Sequence, residues 1–234
     1  MATAGFQAIN DAGTFSVTDK NPTLCFITKG SVTCPGWGSP TGLTGLGSGV
    51  VITPPSGYTA MVMAYRSNGL FISAEAAAMA NPGQQFKVFG PSTTTVEWFL
   101  FARSLNTPSS HGSGAGLQIF DALGRNTFDS SAKPGKVMEV VNLPLPVQGP
   151  GNQVLYNGAA FPAGKTYAAV PRYYSERIYQ PMPPSSEVKY YTACMQCSTN
   201  LLVQEYMYIQ GISDTMDQGR WGGGAILLVD VTGY

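Results

Sequence analysis

Short apolar runs separated by turn residues dominate the chain. Most runs are rich in β-branched and aromatic residues and are too short for typical helices, so they predict strands. One run, 74–80, has a helical composition and is ended by Asn81-Pro82-Gly83. The predicted strands are 24–27, 50–52, 58–65, 85–89, 96–102, 117–120, 137–141, 154–156, 166–170, 187–193, 201–209 and 225–231.

A strand–turn–strand pattern occurs twice. In 116–141 a strand is followed by a turn that opens with Asp121 and closes with Gly124, because Asp caps its own backbone and Gly tolerates positive φ. A return strand to Asp129 and a third strand complete the unit. We expect Leu117 and Ile119 to share a buried face while Gln118 points away. The same order begins the chain, with identities at a constant separation of 111 residues: Gly5 and Gly116, Gln7 and Gln118, Gly13 and Gly124.

The repeat divides the 234 residues into two parts of ordinary domain size. The stretch between them is rich in Ser and Gly, as linkers are. We therefore predict an all-β protein of two tandem β-sandwich-like domains from an internal duplication. The N-terminal β domain is 1–108, the Ser/Gly linker 109–115 and the C-terminal β domain 116–234.

The composition limits the classes of function. Charged residues make up 11%, whereas about 25% is usual, so we expect neighbouring subunits to cover much of the surface. Basic and acidic residues number 13 each, which argues against nucleic-acid binding. Apolar runs are too short to span a bilayer, and residues 1–4 carry no targeting signal. We therefore expect a chain that is made and retained in the cytosol, or that leaves by a route other than secretion, such as lysis.

Residues suited to catalysis are few. The single histidine, His111, falls in the predicted linker, where no partner would position it as a general base. The Gly-rich stretch 42–49 lacks the Gly-Lys-Ser/Thr ending of a phosphate loop. We expect no enzymatic activity and no cofactor.

Four cysteines offer three interpretations. Cys194 and Cys197 have the spacing of a zinc knuckle, and Cys25 and Cys34 would be a second pair. A local Cys194–Cys197 disulfide is the second interpretation. Buried structural thiols are the third, which we prefer because Cys25 lies in an apolar strand and the other pair in the second half. We expect no metal.

Tyrosines crowd the second half, with arginines among them. Such residues fill cores, form interfaces because they bury a large area with little entropy loss, or stack on sugar rings. Two loops of similar sequence each carry a tryptophan. The candidate interface or receptor contacts are Trp37, Tyr173, Tyr174, Arg177, Tyr179 and Trp221.

The opening of the second copy also resembles a known family. The pattern G-L-Q-I-F-D-A-x-G, followed by F-D-S-S, resembles the start of short tail proteins from the structural gene clusters of tailed bacteriophages. The resemblance implies a small β domain in a virion tail, near its tip or fibres, with no catalytic residues to carry over. The matching residues are Gly116, Leu117, Gln118, Ile119, Phe120, Asp121, Ala122, Gly124, Phe128, Asp129, Ser130 and Ser131.

We therefore predict a non-enzymatic structural protein of a bacteriophage virion, at the tail tip, baseplate or fibre attachment region, assembled in the bacterial host cytoplasm. The expected partners are other phage tail proteins and further copies of the chain in trimeric or hexameric symmetry. The alternative is a host-surface receptor or carbohydrate-binding module of the tail. In that case the loops with Trp37 and Trp221 would lie open at a distal end.

Overall fold

The computed structural model describes sixteen stretches of the chain. They are residues 5–6, 17–18, 24–36, 49–58, 61–67, 72–75, 86–91, 94–103, 117–129, 132–142, 153–157, 164–171, 176–179, 188–197, 202–212 and 225–234.

These stretches contain strands and no helix. In chain order the strands are β1 (Gly5–Phe6), β2 (Val17–Thr18), β3 (Leu24–Thr33), β4 (Val50–Ile52), β5 (Met61–Ser67), β6 (Ser73–Glu75), β7 (Phe86–Phe89), β8 (Thr95–Arg103), β9 (Gln118–Phe120), β10 (Asn126–Asp129), β11 (Lys136–Asn142), β12 (Gln153–Asn157), β13 (Tyr167–Pro171), β14 (Glu176–Tyr179), β15 (Val188–Cys197), β16 (Leu202–Ile212) and β17 (Ala225–Asp230).

The largest sheet has six antiparallel strands in the order β11-β17-β13-β5-β8-β3. Three of them come from each side of the predicted linker. The two sides join where Ala169 of β13 lies opposite Tyr65 of β5. A four-stranded sheet (β12-β16-β15-β14), a three-stranded sheet (β4-β7-β6) and two hairpins (β1-β2 and β9-β10) complete the described sheets.

The two outer strands of the six-stranded sheet meet at one end. The amide of Phe26 donates to the carbonyl of Lys133 at 2.8 Å, and the amide of Gly135 donates to the carbonyl of Leu24 at 2.7 Å. The next residue, Lys136, already lies opposite Asp230 of β17. The segment before β11 therefore touches both edges and closes the sheet on itself at this seam.

The inner strands of this sheet carry buried side chains on both faces, since successive residues of a strand point to opposite sides. On one face Met61, Met63 and Leu100 pack with Phe86 and other residues of the three-stranded sheet. On the other face the core is formed by Ala64, Phe99, Phe101, Ala168, Val170, Val229 and Val231. Near-continuous apolar runs such as that of β8 follow from burial on both sides.

The two halves supply strands in equivalent order. The six-stranded sheet reads β3-β8-β5 from its first edge and β11-β17-β13 from its second. The smaller sheets read β4-β7-β6 and β12-β16-β15, the latter extended by β14. A two-stranded hairpin precedes each set.

A β-bulge marks the same place in each half. The register of β3 on β8 shifts between Phe26 and Thr28, so Ile27 is the extra residue. The register of β11 on β17 shifts between Val137 and Glu139, so Met138 is the extra residue. Ile27 and Met138 are 111 residues apart, the separation of the matching glycines in the sequence.

The all-β prediction is confirmed for the described residues, and each predicted strand overlaps an observed one. Two separate sandwiches are not observed, since strands from both sides of the linker share one sheet. The linker 109–115 itself lies outside the described residues. The helical composition of 74–80 was misleading at its start, because Ala74 and Glu75 belong to β6, and 76–80 lies outside the described residues.

Candidate interaction surface

The turn between β9 and β10 is held by the side chain of Asp121. Its Oδ1 accepts hydrogen bonds from the amides of Leu123 and Arg125, each at 2.9 Å, and its Oδ2 accepts one from Arg125 Nε at 2.7 Å. The amide of Gly124 donates to the carbonyl of Asp121, and Gly124 has φ +74°. The predicted Asp cap and positive-φ glycine are confirmed.

The charges of this turn neutralise each other. The hydrogen bond from the Arg125 amide lowers the pKa of the Asp121 carboxyl, and desolvation raises it. Hydrogen bonds from the Arg125 guanidinium and the Leu123 amide lower it further, so the net shift of the pKa is downward. Asp121 and Arg125 also form an ion pair at 2.7 Å. The tip of the hairpin therefore carries no net charge at neutral pH.

The base of the hairpin is held by further side-chain hydrogen bonds. Gln118 Nε2 donates to Asp129 Oδ2 at 2.8 Å, and Thr127 Oγ1 donates to the carbonyl of Ile119 at 3.0 Å. Thr127 and Asp129 are both buried. With both ends fixed, the hairpin presents its remaining side chains in a set geometry.

Three apolar side chains of the hairpin are exposed. Leu117 is 46% exposed, so the prediction that it shares a buried face with Ile119 is wrong. Phe120 is 50% and Leu123 77% exposed. Of the large apolar residues exposed in the described part of the chain, all but Val51 lie between residues 117 and 140. We call the following set the 117–140 surface: Leu117, Phe120, Leu123, Val137, Met138 and Val140.

The β-bulge at Met138 explains why two valines of β11 contribute to this surface together. An extra residue shifts the alternation of faces by one, so Val137 and Val140 lie on the same side of the sheet although they are three residues apart. Val137 is opposite Val229 and Val140 opposite Leu227. Both valines nevertheless remain about half exposed.

The equivalent place in the first half is covered by Tyr234. Phe26 corresponds to Val137 and is opposite Phe101, just as Val137 is opposite Val229. The Tyr234 ring packs edge-on against Phe26 and Phe101, with centroids 5.0 and 6.0 Å apart. Lys29, which corresponds to Val140, donates to the Tyr234 carbonyl at 2.7 Å.

The same tyrosine fixes the seam of the sheet. Its hydroxyl donates to the carbonyl of Pro134, and Lys133 Nζ lies 5.7 Å from its ring centroid. Lys133 also donates to the carbonyl of Gly233 at 2.8 Å. The site around Phe26 therefore accepts an aromatic ring together with the turn that carries it.

Cys25, Cys34 and Cys197 are buried. Cys194 and Cys197 lie on one regular strand, so their Cα atoms are about 10 Å apart, beyond the roughly 7 Å limit of a disulfide. The buried thiol of Cys197 donates to the carbonyl of Tyr167 at 3.7 Å, and burial raises its pKa to about 12. Burial likewise raises the pKa of Cys34 to about 11. The described residues contain no cluster of three or more His, Cys, Asp or Glu suited to a metal.

The candidate contacts from the sequence are only partly placed. Trp37, Tyr173, Tyr174 and Trp221 lie outside the described residues. Arg177 and Tyr179 lie on β14, opposite Tyr191 and Lys189 of β15. The apolar residues of the 117–140 surface were missed, although an exposed Leu123 between the Asp and Gly of a tight turn was a signal available in the sequence.

The chain matches no protein-family model, and comparison with curated proteins and with solved structures gives no significant match. In the part of the chain that is described, no helix has the length and apolar character needed to cross a membrane.

Proposed function

We propose that the chain is a non-enzymatic structural subunit of a bacteriophage tail, located at the tail tip, baseplate or fibre attachment region. The observation that carries the proposal is the 117–140 surface. Exposed apolar side chains concentrated in one segment are a candidate contact with other proteins. The residues that resemble phage tail proteins, 116–131, overlap this surface, so the contact and the resemblance point to the same segment.

The similar strand order of the two halves supports an architectural role. Equivalent strand order and a bulge at the separation seen in the sequence favour two copies of one unit that came to share a sheet. Such an arrangement buries the edges at which each copy alone would be open. It leaves the hairpin of the second copy to face a partner.

Disruption of the gene in a phage that carries it tests the proposal. A tail subunit predicts incomplete particles or free heads without finished tails in electron micrographs, with assembly restored by the gene in trans. Complete particles that fail to adsorb to cells would favour the host-surface binding module instead. Normal and infectious particles would refute both.

A further inference from the structure

We propose that copies of this chain bind each other head to tail, with Phe120 of one copy seated on Val137 and Val140 of the next. The inference rests on the proposed role as an assembling subunit and names the partner of the 117–140 surface as a second copy. It follows from a comparison of the two halves of the molecule.

The first half shows which chemistry fits this place in the fold. There an aromatic ring covers Phe26 and packs against Phe101 in edge-on geometry. The second half keeps the same strands, the same bulge and the same face, yet Val137 and Val140 stay about half exposed. An aromatic ring from a neighbouring copy would complete the equivalence.

A difference between corresponding residues of the two halves indicates which group would bind at β11. Lys29 binds the backbone carbonyl of Tyr234, whereas Val140 stands at the corresponding position and offers no cation. The site on β11 therefore selects an apolar group and does not require a carboxylate or a carbonyl. A charged ligand would lose its hydration there without a partner.

The chain itself carries a matching group. Among aromatic residues whose side chains are described, Phe120 alone is exposed. The turn beside it is fixed by Asp121 and uncharged overall, so binding loses little conformational entropy and separates no unpaired charge. Leu123, which is 77% exposed, extends the apolar contact.

This pairing is heterologous because the hairpin residues of the 117–140 surface in one copy contact its β11 residues in the next. Repetition of such a contact produces a closed ring or an open filament. A ring of three or six copies agrees with the symmetry expected from the sequence. Each contact is small, so we expect weak pairwise affinity that ring closure strengthens.

The first test measures mass against concentration by sedimentation for three variants. Phe120→Ser removes the inserted ring, and Val140→Lys introduces the residue found at the equivalent position of the first half. Val51→Lys is the matched control, since Val51 is 42% exposed on β4, outside the 117–140 surface. We expect wild type and Val51→Lys to form oligomers larger than dimers, and the other two variants to dissociate at least tenfold more readily. A monomeric wild type, or equal effects of Val51→Lys and Val140→Lys, would overturn the proposal.

Mixing the two variants tests the head-to-tail geometry. The Phe120→Ser variant retains an intact β11 site, and the Val140→Lys variant retains an intact hairpin. A single contact can therefore form, between the hairpin of the second variant and the β11 site of the first. We expect a 1:1 complex that does not grow. No complex in the mixture would contradict the pairing, and growth beyond a dimer would show that another surface carries the assembly. Circular dichroism of each variant checks that the strands are retained, and Leu123→Ser is the second hairpin variant if Phe120→Ser does not fold.

The two proposals fail separately. A chain that assembles by this contact but is dispensable for the particle refutes the tail function alone. A chain that is required in the particle but monomeric, and unaffected by these substitutions, refutes the head-to-tail contact alone.

Discussion

Removal of the Tyr234 ring should open the seam of the six-stranded sheet. The ring makes two edge-on aromatic contacts, each worth about 1 kcal/mol beyond the area buried. Its half-buried surface adds about 1 kcal/mol, and its hydroxyl contributes about 1 kcal/mol through the Pro134 carbonyl. We expect Tyr234→Ala to lower the free energy of unfolding by about 3 to 4 kcal/mol and Tyr234→Phe by about 1 kcal/mol.

Denaturant unfolding measures these losses, and amide hydrogen exchange locates them. The amides of Phe26 and Gly135 bond across the seam, so they should exchange faster in Tyr234→Ala, while amides in the β5–β8 pair change only as global stability does. Phe120→Ala, studied at concentrations where the chain is monomeric, is the aromatic control and should cost less than about 1 kcal/mol. Equal losses for the Phe and Ala variants of Tyr234 would refute the role of ring packing, as would unchanged exchange at the seam.

Three further predictions concern local chemistry. Burial raises the pKa of Asp230, but hydrogen bonds from Thr232 and the ion pair with Lys165 outweigh it, so the pKa is lowered. The stability advantage of wild type over Asp230→Asn should therefore hold at neutral pH and vanish as the pH falls below about 4. An advantage that does not change with pH in acid unfolding would contradict this. In the Cys194→Ser variant the remaining thiols, Cys25, Cys34 and Cys197, are buried and their pKa values are raised to about 11 or 12. An aromatic disulfide reagent at pH 8 should therefore react with them only on unfolding. Rapid labelling of the native protein would be inconsistent with that burial. Gly124→Ala should cost about 1 kcal/mol in thermal or denaturant unfolding because φ is +74° there, and a gain in stability would argue against the turn.

Local features were predictable from the sequence, because neighbouring residues determine them. Asp121 and Gly124 specify their turn by chemistry within four positions. Apolar runs such as that of β8 specify strands through their own composition. The two bulges lie at the same separation as the matching glycines, although no bulge was predicted.

Long-range features were not predictable, because they depend on which strands meet. The pairing of Tyr65 with Ala169 joins strands over a hundred residues apart, and no local pattern encodes it. Leu117 is apolar, as core residues are, but among the described strands β9 pairs only with β10 and Leu117 is 46% exposed. Tyr234 gains its role only when the chain end returns to Phe26.

Labelling of intact phage particles tests the central claim, that this chain is a tail subunit, most directly. Gold-conjugated antibodies to the purified chain would be applied to particles of a phage that encodes it and viewed by electron microscopy. The account predicts label at the distal tail or its fibre attachment region. Absence of label from particles that stain normally for other tail proteins would contradict it.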